Sequence, residues 1–181
     1  MGAWVGAPAG LTASTAPAGV VDPARVPAAE RRRLGGPGLR AFLAIADRWG
    51  LGEEERLAIL GQPARSTYFA WARKARAGEA VVLPFDMLLR ISAVLGIHKG
   101  LMLLFEDDTQ GLAWLAGPND GPLFGGRPPL DLALSGTQDG LLLLRRHLDA
   151  WRGGRVAAPL SGAGLAIEGA PPLTDADIVF T

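Results

Sequence analysis

The chain has no cysteine, a single tyrosine, two histidines and, with 18 Lys+Arg against 18 Asp+Glu, no net charge over its 181 residues. Without cysteine there is no disulfide and no thiolate chemistry, so stability must come from a packed core, which a chain of this length can bury. His98 and His147 lie far apart in the sequence with no cysteine to join them, so a structural zinc site is not expected. The first Lys or Arg is Arg25, and Pro8 and Pro17 break the apolar stretch before it, so no secretory leader is expected. No uninterrupted apolar run reaches about 18 residues, so no membrane-spanning helix is expected either. The expected setting is the cytoplasm.

Enzyme signatures are scarce as well. Neither Gly-x-Gly-x-x-Gly nor Gly-x-x-x-x-Gly-Lys-[Ser/Thr] occurs, which removes the common phosphate-cradling loops. Ser161, in Leu160-Ser161-Gly162-Ala163-Gly164, fits no nucleophile elbow. His98 reads as a surface or cap residue at a helix start, and His147 as solvent-facing. Asp107-Asp108 before Thr109 is what a helix N-terminus favours. With so few general bases, no catalytic residue, no bound metal and no cofactor are expected.

What is present is unevenly spread. Residues 25–76 hold eleven Lys/Arg against five Asp/Glu, so the neutral total hides a basic front half and an acidic remainder. Such a front suits a polyanion surface, or simply a solvated face. Residues 1–38 contain nine Ala, seven Gly and five Pro, with Trp4 as the lone aromatic. A stretch of that kind buries too little to offset its ordering entropy, so it reads as a flexible arm, with helix expected only near Ala28–Leu34. Residues 155–181, punctuated by Pro159, Gly162, Gly164, Gly169, Pro171 and Pro172, read as a tail.

Between them the apolar residues recur at helical spacing and no segment alternates as a strand does, so the core is expected to be all-α. Leu39, Phe42, Leu43, Ile45, Ala46 and Trp49 form one stripe, closed by Gly50. Glu53-Glu54-Glu55 open a second helix with Leu57, Ile59 and Leu60 inside. After Gly61-Gln62-Pro63-Ala64, Ser66 is the expected N-cap of a third helix, ended by Gly78. Pro84 starts a fourth helix that Gly96 should stop, and Ile97–Phe105 makes a fifth. Thr109–Ala116, a short helix from Pro129, and Thr137–Gly153 with Leu141, Leu144, Leu148 and Trp151 on one face complete the expectation.

Two short helices joined by a Gly-containing turn, Glu53–Leu60 and Ser66–Ala77, have the form of a helix–turn–helix. In that geometry Arg65, Ser66, Thr67 and Tyr68 approach base edges or phosphates, Arg73, Lys74 and Arg76 track the backbone, and Trp71 faces inward. A structural module that has lost DNA contact has the same pattern, and any helical bundle can present two helices and a turn.

Four blocks, Arg90–Phe105, Trp114–Asn119, Leu123–Asp131 and Leu148–Gly154, occur in order. Together they resemble the Xre/MbcA/ParS-type antitoxins that neutralise RES-domain toxins. Trp114, Pro118, Asn119, Phe124, Gly125, Pro129, Leu130 and Asp131 are the most distinctive residues, and each has an architectural use. Gly117-Pro118 ends a helix, Asn119 satisfies the ensuing turn, and Phe124 plugs the core. Gly125-Gly126 allows a backbone path closed to other residues, and Pro129 begins a short helix with Leu130 and Asp131 in its first turn.

The resemblance implies a Cro/Xre-like helix–turn–helix domain, drawn here at residues 39–108, followed by a helical toxin-binding domain at 109–154. It further implies homodimers, a cognate RES-domain toxin whose NAD cleft is blocked, and binding to operator DNA. A dimeric transcriptional regulator with no toxin is the alternative. In the tail, Asp175 and Asp177 suit cationic groups that hold NAD phosphates, while Leu173, Ile178, Val179 and Phe180 suit an apolar slot. The Leu141–Leu144 run is apolar all round its helix, so a dimer contact is expected there or nearby.

Overall fold

A computed structural model describes residues 26–154, and all structural statements below concern these residues. They form seven helices and no strand: α1 (Ala28–Arg48), α2 (Glu53–Ile59), α3 (Arg65–Arg76), α4 (Phe85–Leu104), α5 (Asp108–Ala116), α6 (Leu130–Leu134) and α7 (Gln138–Arg152). The fold class is all-α.

Helix α1 begins at Ala28, eleven residues before the arm boundary drawn at 39, and runs straight through Gly35-Gly36-Pro37-Gly38. Local propensity opposes this, since glycine and proline both weaken a helix interior. Tertiary packing overrides it. The segment after α3 crosses α1 at Gly35 and Gly36, where an added Cβ would sit 2.0 Å from the Val81 carbonyl oxygen and 2.9 Å from that of Glu79. Val81 and Leu83, which this crossing carries inward, are buried, as are Leu39 and Phe42 of α1.

Gly96 does not stop the fourth helix. Helix α4 is one continuous element of 20 residues, not two, and Pro84 is its N-cap. Gly96 and Gly100, one turn apart, face α7, where a Cβ would lie 2.6 Å from Arg145 Nε and 3.2 Å from Leu148 Cβ. Both glycines therefore serve close helix approach, and α4 packs along α7 on one side and α1 on the other. By length and composition α4 could cross a membrane, but Ile91, Val94, Ile97 and Leu101 are core residues of the bundle.

The acidic pair Asp107-Asp108 does mark a helix start: Asp107 caps α5 by accepting from the Gln110 N–H. Thr137, read only as the first residue of the last helix, is the N-cap of α7 and accepts from the Gly140 N–H. Ser66 is not a cap: α3 starts two residues earlier than a Ser66 cap would set it, with Ala64 at the N-cap position and no side-chain bond to its first turn. The Leu141–Leu144 run is largely spent inside. Leu141 and Leu144 are fully buried and Leu142 packs on the core, leaving Leu143 half-buried.

Candidate functional site

Two surfaces carry the functional candidates. The first is α2–turn–α3. Helix α2 ends on Gly61 at φ 84° followed by Gln62 at φ 59°, and the Gln62 N–H returns to the Leu57 carbonyl at 2.8 Å. This left-handed pair reverses the chain and sends α3 across α1. The last turn of α3 collects Arg73, Lys74 and Arg76, favourable to the negative end of the helix dipole.

The exposed face of α3 differs in one residue from the expectation. Arg65, Ser66, Arg73 and Lys74 are exposed and Thr67 is half-buried, but Tyr68 is a core residue with 4% of its surface accessible. Phe69, not singled out in the sequence, is outside at 49%. The helix rotates by about 100° per residue, so an error of one position exchanges inside for outside. Tyr68 is the partner of Phe69 rather than its equivalent: their rings lie 5.4 Å apart. Trp71 is half-buried and packs on the core. Arg65 forms a 2.5 Å ion pair with Glu53 of α2, which holds the two helices together and partly occupies that guanidinium.

The second surface is the C-terminal half. Trp114 of α5 is the centre of an aromatic cluster. Its ring lies 6.0 Å from Phe105, 5.6 Å from Trp151 and 5.8 Å, edge-on, from Phe124. His147 is the fifth member, not a solvent-facing residue. It stacks on Trp114 at 6.2 Å with an 11° angle and meets the Phe124 edge at 4.9 Å. Burial pushes the His147 pKa below the ordinary histidine value.

The loop after α5 builds around this cluster. Pro118 is exposed, and Asn119 is buried with its Oδ1 accepting from the Gly121 N–H at 2.9 Å. The Asn119 carbonyl accepts from Gly126, and Gly125 and Gly126 take φ values of 58° and 84°. That path drops Phe124 into the core. Pro129 is buried at the start of α6, Leu130 packs on the core, and Asp131 accepts from Arg127 at 3.0 Å. An open groove runs beside α6, walled by Leu123, Phe124, Leu132 and Leu134 with Arg127 and Asp131 on its rim.

His98 also differs from its expected place. It sits in the interior of α4, its ring 6.4 Å from that of Trp49 and inclined to it by 63°. Its pKa is lowered, first by burial and then by Arg48, with Asp108 opposing. Arg48 and Asp108 pair at 2.6 Å, tying α1 to α5. Arg90, which opens the first of the four sequence blocks, has no individual role assigned from sequence; it joins the two surfaces by donating to the backbone carbonyls of Ile59 and Gly136. The tail residues Leu173, Asp175, Asp177, Ile178, Val179 and Phe180 lie outside the described residues.

Comparison with known proteins divides the chain along the same lines. Residues 28–96 match the Xre-like helix–turn–helix domain of antitoxins. Residues 101–154 match the Xre/MbcA/ParS C-terminal toxin-binding domain of antitoxins. The two matches meet inside α4. The chain is also similar to uncharacterized protein y4oB of Sinorhizobium fredii, 40% identical over 133 residues, which span 74% of this chain and 91% of that protein.

Proposed function

The chain belongs to the family of Xre-type antitoxins, and on that premise we propose that it binds a RES-domain toxin in the cytoplasm and silences it by covering the toxin's NAD cleft. The observation that carries this is the match of residues 101–154 to a toxin-binding domain, on the segment that carries the aromatic cluster around Trp114. The chain acts by occupying a pocket, not by chemistry of its own. The toxin holds the reacting groups; the antitoxin supplies shape and charge.

The tail supplies the cleft-directed chemistry in this proposal. Asp175 and Asp177 complement cations that otherwise hold NAD phosphates, and Leu173, Ile178, Val179 and Phe180 fill an apolar slot. Homodimerisation accompanies it. With the Leu141–Leu144 run used internally, the exposed Met102 (58%) and Leu103 (55%) at the end of α4 are the better support for a second copy.

Operator binding through α3 is the other half of the proposal, supported by the exposed Arg73, Lys74 and Arg76. A regulator without a toxin is the second reading, favoured by that same face. Co-purification of tagged chain from cells, with the retained partner identified and checked for a RES domain, separates the two. The proposal expects a stable complex whose affinity falls when Leu173–Thr181 is deleted. A chain that binds DNA tightly but retains no RES-domain protein is a regulator only.

A further inference from the structure

Helix α3 contains four cations, Arg65, Arg73, Lys74 and Arg76, and no acid. It also contains no Asn or Gln, the side chains that pair with both edges of adenine in the major groove. Of the groups able to reach a base, Arg65 is held against Glu53 and Tyr68 is buried in the core. Ser66, Phe69 and Arg73 stand at spacings of three and four on one exposed stripe. Phe69 is the largest exposed side chain on it that carries no charge, and the ring of the anchored Tyr68 packs against it at 5.4 Å. The base-facing stripe is thus an apolar ring set among cations.

Major-groove chemistry offers one counterpart to such a ring. Thymine presents a C5-methyl group beside its O4 acceptor, while the other base edges present only donors and acceptors. Cations around the ring meet phosphates, which position a helix without reading sequence. From this we infer that Phe69 is a specificity-determining residue that reads the C5-methyl of a thymine in duplex DNA, with Ser66 beside it and Arg73, Lys74 and Arg76 on the backbone. The inference rests on operator binding through α3, so its test separates the two.

Duplexes are selected from a randomised pool by the full-length chain, then prepared with either thymine or uracil, which differ only in that methyl. The wild-type chain is expected to bind the uracil duplex about fourfold more weakly for each methyl contacted, the worth of one buried methyl group. Phe69→Ala, on an exposed site and checked for unchanged helicity, is expected to lose that discrimination and to bind both duplexes alike. Phe69→Leu is expected to keep part of it. The dependence on salt is expected to be the same for wild type and variants, because the phosphate contacts are untouched. Equal wild-type affinity for thymine and uracil duplexes overturns the inference and leaves operator binding intact. Failure to enrich any duplex overturns both. A Phe69→Ala chain that keeps the discrimination but changes its mass in solution assigns the ring to a protein contact and overturns the inference as well.

Discussion

Arg90 donates a hydrogen bond to the carbonyl of Gly136, 3.0 Å away and 46 positions later in the chain. The same guanidinium nitrogen donates at 3.3 Å to the carbonyl of Ile59, in the last turn of α2. One side chain on α4 therefore fastens the helix–turn–helix to the α6–α7 turn. Gly61 lets it pass: a Cβ at that position would lie 3.0 Å from Arg90 Nε.

Replacing Arg90 by Met keeps the apolar stem and removes the donors. Both carbonyls lose a partner in a half-buried site, which costs about 1–3 kcal/mol. A lowered urea midpoint with unchanged slope is the expected result. An unchanged midpoint would show that water satisfies those carbonyls equally well.

Two glycines three residues apart in α1 give opposite expectations. At Gly35 a Cβ meets the Val81 carbonyl oxygen at 2.0 Å, so Gly35→Ala forces the crossing segment away and destabilises the chain by at least about 2 kcal/mol. At Gly38 the nearest atom is 3.6 Å away, so Gly38→Ala gains helix propensity, up to about 1 kcal/mol. Thermal melts of the two variants, moving in opposite directions, check this.

Asn119 is the buried polar side chain that closes the loop over the aromatic cluster. Asn119→Ala leaves the Gly121 N–H without its acceptor and costs about 1–3 kcal/mol. Because that loop places Phe124, the near-ultraviolet signal of the tryptophans is expected to change while the helical far-ultraviolet signal stays. Loss of helicity instead would mean that the loop holds the whole bundle.

His98 and His147 both have pKa values below the ordinary 6.5, with burial as the leading cause. As pH falls through that value the unfolded chain takes up protons first, so stability is complete above it. It then declines until the folded histidines titrate at their lowered values. Denaturant midpoints measured between about pH 7 and pH 5 are expected to fall, and His147→Phe to fall less steeply. A midpoint that rises as pH drops over this range contradicts the burial of these rings.

The sequence makes the helix count nearly readable, because glycine and cap signals agree with the apolar stripes at Gly50, Gly78, Asp107 and Thr137. It misleads at Gly35-Gly36 and Gly96, where glycine serves close packing between elements distant in the chain rather than helix termination. Such glycines look identical in one dimension. On α3, one position of rotation exchanged Tyr68 for Phe69, a distinction that depends on which side α1 lies. Sequence places His147 in solvent because it stands between Arg146 and the Leu148 stripe, whereas its ring turns back onto Trp114. The loop residues from Trp114 to Asp131 were legible because proline, glycine and asparagine have few alternative uses in a turn.

The most direct measurement adds purified chain in increasing amounts to the toxin that co-purifies with it, a RES-domain protein on the proposed reading, and follows NAD consumption. The account predicts that consumption falls in proportion to added chain and ends at a fixed stoichiometry, with none by the chain alone. Undiminished consumption at saturating chain, or turnover of NAD by the chain itself, contradicts it.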